Sequence, residues 1–169
     1  MTTLHAVRPL AVLSLSLLSW LVGCGGTTSA DARYSTPEHT LATVLASYGL
    51  TGLTPDEVRT MRRERRLRLQ DPVAYHACFL RFDSYLDEAL AGFIVGALAE
   101  NPEPVQPQIV GDVARVPIAG KTTIVLRKKD GAWRIDLDTS VSSTMRAKLQ
   151  DVVRRAEKMT RRHGALPAP

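Results

Sequence analysis

The sequence lacks the motifs by which proteins usually bind metal ions and nucleotide phosphates. His39, His76 and His163 are scattered along the chain, and none has a second ligand at the spacing found in zinc sites. Lys121 and the two threonines after it follow a lone glycine, not the glycine-rich loop of a phosphate site. We therefore expect neither a metal centre nor a bound cofactor.

Cysteine is also scarce, because Cys24 and Cys78 are the only two in 169 residues. Cys78 lies among apolar neighbours in a segment predicted to be helical. A lone thiol in such surroundings is most often a small buried hydrophobic side chain. We favour that interpretation over a redox or nucleophilic role, which would need an accessible thiolate.

The sequence has one long apolar run, from Pro9 to Val22, and it is shorter than the ~20 residues that span a bilayer. A short, mildly basic segment containing Arg8 precedes it, in the order typical of a secretory signal. The run ends in Leu21-Val22-Gly23-Cys24, which resembles the lipobox of bacterial lipoproteins. The resemblance implies cleavage before Cys24, a thioether from its thiol to diacylglycerol, and acylation of the freed amine. Two or more acyl chains make such an anchor stable.

The lipobox resemblance divides the chain into segments. Residues 1–23 are then a signal peptide, residues 24–31 a lipidated tether, residues 32–163 a single domain and residues 164–169 a tail. The implied location is the cell envelope, and in a Gram-negative host the outer membrane facing the periplasm, because glycine rather than aspartate follows Cys24. Membrane lipid is then a partner through acylated Cys24, whereas nucleic acid is disfavoured outside the cytoplasm. A plain secretory signal with an incidental cysteine is the alternative.

Composition indicates that the remainder of the chain folds. Hydrophobic residues make up 44% of the sequence and charged residues 23%, which is ordinary for a globular protein. The formal net charge of +5 is moderate. It permits attraction to anionic lipids or other polyanions without requiring it.

Three helices are predicted before any strand, each opened by a capping residue followed by proline. Hydrophobic residues at helical spacing continue each helix, and we expect the third to break near Asp83-Ser84. The expected ranges are Thr36 to Gly49, Thr54 to about Leu69, and Asp71 to a stop in Asn101-Pro102-Glu103-Pro104.

The spacing of hydrophobic residues then changes to the alternation of β-strands. Gly111-Asp112 and Asp130-Gly131 indicate tight hairpins. Trp133 opens the last strand, and its inner face continues through Ile135 and Leu137, so we expect Trp133 to be buried. The expected strands are 106–110, 113–118, 122–128 and 132–138.

A closing helix is predicted from Ser143 to Arg162. Helices, an antiparallel meander of about four strands and a closing helix together make an α+β domain. The apolar seam expected along the closing helix consists of Met145, Leu149, Val152, Val153 and Ala156.

The two hairpins carry a second resemblance. Residues 109–116, with their Gly111-Asp112 turn, and residues 130–136, with Asp130-Gly131-Ala132-Trp133, are similar to hairpins of small NTF2-like (cystatin-like) lipoproteins. That resemblance implies helices wrapped around a curved sheet, with a cone-shaped pocket. This chain departs from the family by an arginine-rich helix where a further strand often stands, and by its extra closing helix.

Enzymes of the NTF2-like family place an acid or base inside the cone. On a single helix His76 and Asp83, seven residues apart, share a face, where the carboxylate could orient the imidazole. An ordinary ion pair of Asp83 with arginines is the favoured alternative. The residues that could supply such a group are Tyr75, His76, Asp83, Tyr85 and Asp87.

Arginine is concentrated in one segment, where six of the ten residues from 59 to 68 are arginine. On a continuous helix Arg59, Arg62, Arg63 and Arg66 would line one stripe. These four are candidate anion-binding residues for lipid head groups, an acidic envelope polymer or an acidic protein. We favour the alternative of a solvated face. The carboxylates expected to neutralise it partly are Glu64, Asp83, Asp87 and Glu88.

Two functions follow from these patterns. The favoured one is a membrane-anchored, non-enzymatic binding or scaffolding module. The alternative is an NTF2-like domain that binds or hydrolyses a small molecule with a His76/Asp83 face. A deep pocket with converging polar groups would support the alternative, and a filled core with a basic exterior would support the favoured function.

Overall fold

The computed structural model describes residues 31–101, 106–118 and 122–163. Within these ranges a 3-10 turn and four α-helices precede a four-stranded antiparallel sheet, and two further helices follow it. The predicted α+β class, with its meander and closing helix, is confirmed. The elements are the 3-10 turn Ala32–Tyr34, α1 Pro37–Ala46, α2 Pro55–Arg63, α3 Pro72–Ala77, α4 Tyr85–Ala99, β1 Gln108–Val110, β2 Val113–Ile118, β3 Thr122–Lys129, β4 Ala132–Ile135, α5 Leu137–Ser140 and α6 Ser143–His163.

The first three helices begin where their capping residues predict. The side chains of Thr36, Thr54 and Asp71 each accept a hydrogen bond from the backbone N–H three residues on, and proline follows each cap. At α2 the Glu57 carboxylate also accepts from the Thr54 N–H, which completes a capping box. These local bonds satisfy backbone donors that a helix start leaves free.

The predicted third helix is two helices, α3 and α4. Between them the chain pairs with the sheet edge, because the Leu80 N–H donates to the Ile135 carbonyl and the Ile135 N–H donates to the Cys78 carbonyl. Ser84 then caps α4 by accepting from the Asp87 N–H at 3.2 Å. The break expected near Asp83-Ser84 is confirmed, and its consequence is a covered edge on β4.

The sheet is a simple meander in the order β1-β2-β3-β4. Asp130 and Gly131 have φ values of 53° and 79°, as a type I′ hairpin requires. The expectation that the last strand reaches Asp138 is wrong, because β4 ends at Ile135. The Asp136 side chain accepts from the N–H groups of Asp138 and Thr139 and starts α5 instead.

The inner face of the sheet forms one buried core together with side chains of α1, α3 and α4. Tyr75 lies in an aromatic cluster, with ring centroids 5.0 Å from Phe79 and 5.6 Å from Phe82 in edge-on arrangements. The predicted burial of Trp133 is confirmed at 5% exposure. Six inward-facing sheet residues are at most 5% exposed, namely Ala114, Val116, Ile118, Ile124, Leu126 and Ile135.

Helix α6 lies against α4 but is covered only in part. Met145 and Leu149 are partly buried against the core. Further along, Val152 and Met159 are 60% and 61% exposed. The predicted seam of five apolar residues is therefore packed at its beginning and open to solvent beyond Leu149, apart from the half-buried Val153.

Candidate functional site

The lipobox and the tether up to residue 30 lie outside the described residues. The structure therefore does not test lipidation at Cys24. No helix in residues 31–101, 106–118 and 122–163 combines the length and hydropathy needed to cross a bilayer.

The arginine stripe expected from helical spacing is not continuous. Helix α2 ends at Arg63, and Arg65 adopts a φ of 55°, in the left-handed region. Arg59, Arg62 and Arg63 therefore lie on the helix, whereas Arg66 lies in the loop that follows. The expectation that Arg66 extends the stripe by a further turn is wrong.

Three of these four arginines form ion pairs with nearby carboxylates. Arg66 contacts Glu64 at 2.6 Å, as expected, but the other two partners are not the expected ones. The pairs are Arg59 with Asp56 at 2.5 Å and Arg62 with Glu100 at 3.0 Å. All are well exposed to water, so each contributes little to stability, but each reduces the positive potential of this surface.

Arg62 has a further role in packing. A β-carbon at Gly96 would lie 3.0 Å from the Arg62 Nη2, so the guanidinium rests against the bare backbone of α4. From there its Nη1 donates to Glu100 on the next turn. Arg62 thus joins α2 to α4, and replacing it would disturb this contact as well as the local charge.

The shared face predicted for His76 and Asp83 is wrong. Because α3 ends at Ala77 and α4 begins at Tyr85, His76 lies on α3 whereas Asp83 lies in the segment between the two helices. The His76 ring stacks on Phe82 with centroids 4.5 Å apart, while Asp83 faces Arg81 at 3.8 Å. No hydrogen bond joins His76 to Asp83 among the described residues.

The other acid–base candidates are Tyr75 in the core, and Asp87 and Tyr85 at the start of α4. Burial raises the pKa of Tyr75, whose ring is at the centre of the aromatic cluster. Burial also raises the pKa of Asp87, but hydrogen bonds from the Ser84 hydroxyl and the Asp83 N–H more than offset it and leave the pKa below its usual value. Tyr85 is 72% exposed at the start of α4.

Cys78 is fully buried, as the sequence predicts. Burial raises the pKa of its thiol to about 12. Its Sγ–H donates to the Ala74 carbonyl at 3.2 Å. The thiol therefore stays protonated at neutral pH and acts as a small core side chain.

A groove opens where α4 and α5 meet the sheet. It has a volume of about 1130 Å³ and is bordered by α4, α5 and the beginnings of β3 and α6, with Arg62 at one end. Its lining includes Thr122, Thr123, Thr139 and Ser142. Neither His76 nor Asp83 reaches this groove, and no cluster of three metal ligands occurs in the described parts of the chain.

No protein-family model, curated protein or solved structure matches the chain. The resemblances to lipobox proteins and to NTF2-like lipoproteins therefore stay predictions.

Helix α6 carries a surface that the sequence patterns did not single out as a site. Lys148, Val152, Arg155 and Met159 follow one another along a single stripe at spacings of four, three and four residues. All four are exposed, and Ala156 lies beside them. The stripe therefore alternates basic and apolar side chains, and we call it the α6 stripe.

The distribution of charges along the sequence could have pointed to this surface. Helix α6 contains seven basic residues and two acidic ones. Its excess of five positive charges equals the formal net charge of +5 for the whole chain. Counting charge by element, rather than over the chain, would have identified α6 as the basic part of the molecule.

Proposed function

We propose that this protein is a lipid-anchored protein of the bacterial cell envelope whose folded domain is a non-enzymatic binding or scaffolding module. The proposal rests on the sequence Leu21-Val22-Gly23-Cys24 at the end of an apolar run for its location. For the domain it rests on the filled space over the sheet, where the six inward-facing side chains are at most 5% exposed.

The positions of the candidate acid–base groups also favour a binding role. His76 stacks on Phe82, Asp87 caps α4, and Tyr75 is buried in the aromatic cluster. General acid–base catalysis needs such groups within reach of one reacting atom. The rings of Tyr75 and His76 both pack with Phe82, and Asp87 caps α4. Because all three groups serve packing or capping, the outer surface is the better candidate for function.

Replacing Cys24 with serine tests the anchor. We expect Cys24→Ser to leave the precursor uncleaved and free of lipid, because a hydroxyl does not form the thioether. Cells fed a labelled fatty acid should incorporate the label into the wild-type protein and not into the variant. Cys78→Ser serves as the matched control, since the remaining cysteine is buried and should not affect labelling. Equal labelling of wild type and Cys24→Ser would contradict the proposal.

A further inference from the structure

Helix α6 is a basic amphipathic helix with much of its apolar side exposed. Val152 and Met159 on the α6 stripe are 60% and 61% exposed, although both are hydrophobic. Lys148 and Arg155 stand on the same stripe, also exposed. The ion pairs of the helix involve Arg146 with Asp138 and Arg154 with Asp151, so among the described residues Lys148 and Arg155 form none.

We propose that α6 lies along an anionic membrane surface, with the α6 stripe facing the bilayer. Val152 and Met159 then insert between the lipid head groups, while Lys148 and Arg155 contact lipid phosphates. Helices with this combination of a narrow apolar face and a basic polar face bind in the plane of the interface. Basic residues there are attracted by anionic lipids, and their long stems can lie along apolar surface.

The proposal rests on the proposed function, because the anchor supplies the membrane. Seven residue steps separate Cys24 from Asp31, the first described residue, and a chain of that length extends at most about 25 Å. A domain held so close meets the surface at high effective concentration. A weak surface contact is then enough to orient the domain on the membrane.

Charge favours a membrane over a second copy of the chain as the occupant. Two α6 stripes packed on each other would bring two helices together that each carry an excess of five positive charges. Like charges at such a contact repel one another. An anionic lipid surface instead complements both the charge and the apolar side chains of the α6 stripe.

A fluorescent probe in the lipidated full-length protein tests the proposal. Met159→Cys introduces an accessible thiol, whereas Cys78 is fully buried and Cys24 is held in its thioether. The fluorescence of an environment-sensitive dye on this cysteine is measured in two kinds of vesicle. One contains phosphatidylcholine alone, and the other contains phosphatidylcholine and phosphatidylglycerol in equal parts. We expect a blue shift, and quenching by brominated lipid tails, only with phosphatidylglycerol. The same dye at Gln150→Cys, on the opposite side of α6, should report water in both vesicles.

Charge variants in the Met159→Cys background show whether the α6 stripe is responsible. Each basic residue near an anionic surface contributes about fivefold, so Lys148→Gln with Arg155→Gln should lower the ratio of docked to undocked molecules roughly 25-fold. Raising salt to about 0.5 M, where the screening length is on the order of 4 Å, should have a similar effect. The matched control is Lys128→Gln with Lys129→Gln, which removes the same charge from exposed positions on β3 and should change little.

Several results would overturn the proposal. A probe at residue 159 that reports water in both vesicle types would exclude the membrane and leave an acidic protein as the partner of α6. A blue shift that grows with protein density in phosphatidylcholine alone would show self-association instead. Equal losses for the α6 pair and the β3 pair would assign binding to net charge rather than to the α6 stripe.

The anchor is measured separately from the docking of α6. Flotation with phosphatidylcholine vesicles, where surface charge has no part, depends on the acyl chains alone. A protein that fails to float contradicts the proposed function. The probe at residue 159 is then measured on that protein after it is added to phosphatidylglycerol vesicles, so the docking of α6 is supported or overturned independently.

Discussion

Trp133 is held by burial of its ring and by a hydrogen bond from α1. Its side chain is 5% exposed, and its carbonyl oxygen accepts a hydrogen bond from the Thr40 hydroxyl at 2.9 Å. Thr40 is itself fully buried on α1. Burial of the ring and this bond together fix α1 against β4, and alanine would leave a cavity that the surrounding side chains fill only in part.

Trp133→Ala should lower the free energy of unfolding by about 3–5 kcal/mol, the usual cost of removing a buried aromatic ring. Urea denaturation followed by far-ultraviolet circular dichroism measures the loss. Trp133→Phe, which keeps an aromatic ring, is the control and should cost less. A loss below about 1 kcal/mol for the alanine variant would show that the ring contributes little to the core.

Helix starts were predictable because capping is local. Thr36, Thr54 and Asp71 each bond to a backbone N–H three residues further on, and the sequence contains all the atoms that decide this. The Asp-Gly hairpin was predictable for the same reason, since its positive φ values belong to adjacent residues.

Helix ends depended on partners far along the chain. Helix α2 stops at Arg63 rather than near Leu69, and the chain then returns to α1, where the Ser47 carbonyl accepts from the Gln70 N–H at 2.7 Å. In the same way, the bonds of Leu80 with Ile135 separate α3 from α4. Local spacing does not contain these contacts.

The candidate sites were likewise predictable only where local spacing decides the structure. His76 and Asp83 were expected to meet because helical spacing was extended through a segment that pairs with the sheet. On α6 the spacing correctly predicts an apolar side, but not that its distal part is uncovered. Whether a face is covered depends on the packing of the whole domain.

The beginning of α4 offers a test with a defined pH dependence. The Asp87 carboxylate accepts from the Ser84 hydroxyl at 2.8 Å and from the Asp83 N–H at 3.2 Å, and these bonds hold its pKa below the usual value. A group whose pKa is lowered by folding stabilises the protein above its unfolded pKa of about 3.9. That contribution is lost as pH falls through the folded pKa.

Asp87→Ala should therefore reduce the free energy of unfolding by about 1 kcal/mol at neutral pH, the usual cost of losing a helix-capping interaction. The difference between variant and wild type should shrink as pH falls below about 3.9, where Asp87 of the unfolded chain becomes protonated, and it should vanish once pH passes the lower pKa of Asp87 in the folded protein. Chemical denaturation at several pH values measures both. Asp112→Ala, at an exposed carboxylate in the turn between β1 and β2, is the control. A difference that stays constant down to pH 2 would show that the carboxylate charge has no part in capping α4.

In the whole molecule, the apolar core and the excess positive charge lie in different elements. The core formed by the sheet and helices α1, α3 and α4 is filled with apolar side chains. The net positive charge is concentrated on α6, while the charges of the remaining residues cancel. Such a distribution gives the domain one basic side, which an anionic surface would orient.

The central claim is that the mature chain begins at a lipidated Cys24. Mass spectrometry of the amino-terminal peptide, from protein extracted from the membrane fraction of a bacterial host, tests it directly. We predict a peptide that starts at Cys24 and carries the mass of a diacylglycerol thioether, with no peptide from residues 1–23. An amino-terminal peptide that begins at Met1, or any peptide that contains Cys24 as a free thiol, would contradict the claim.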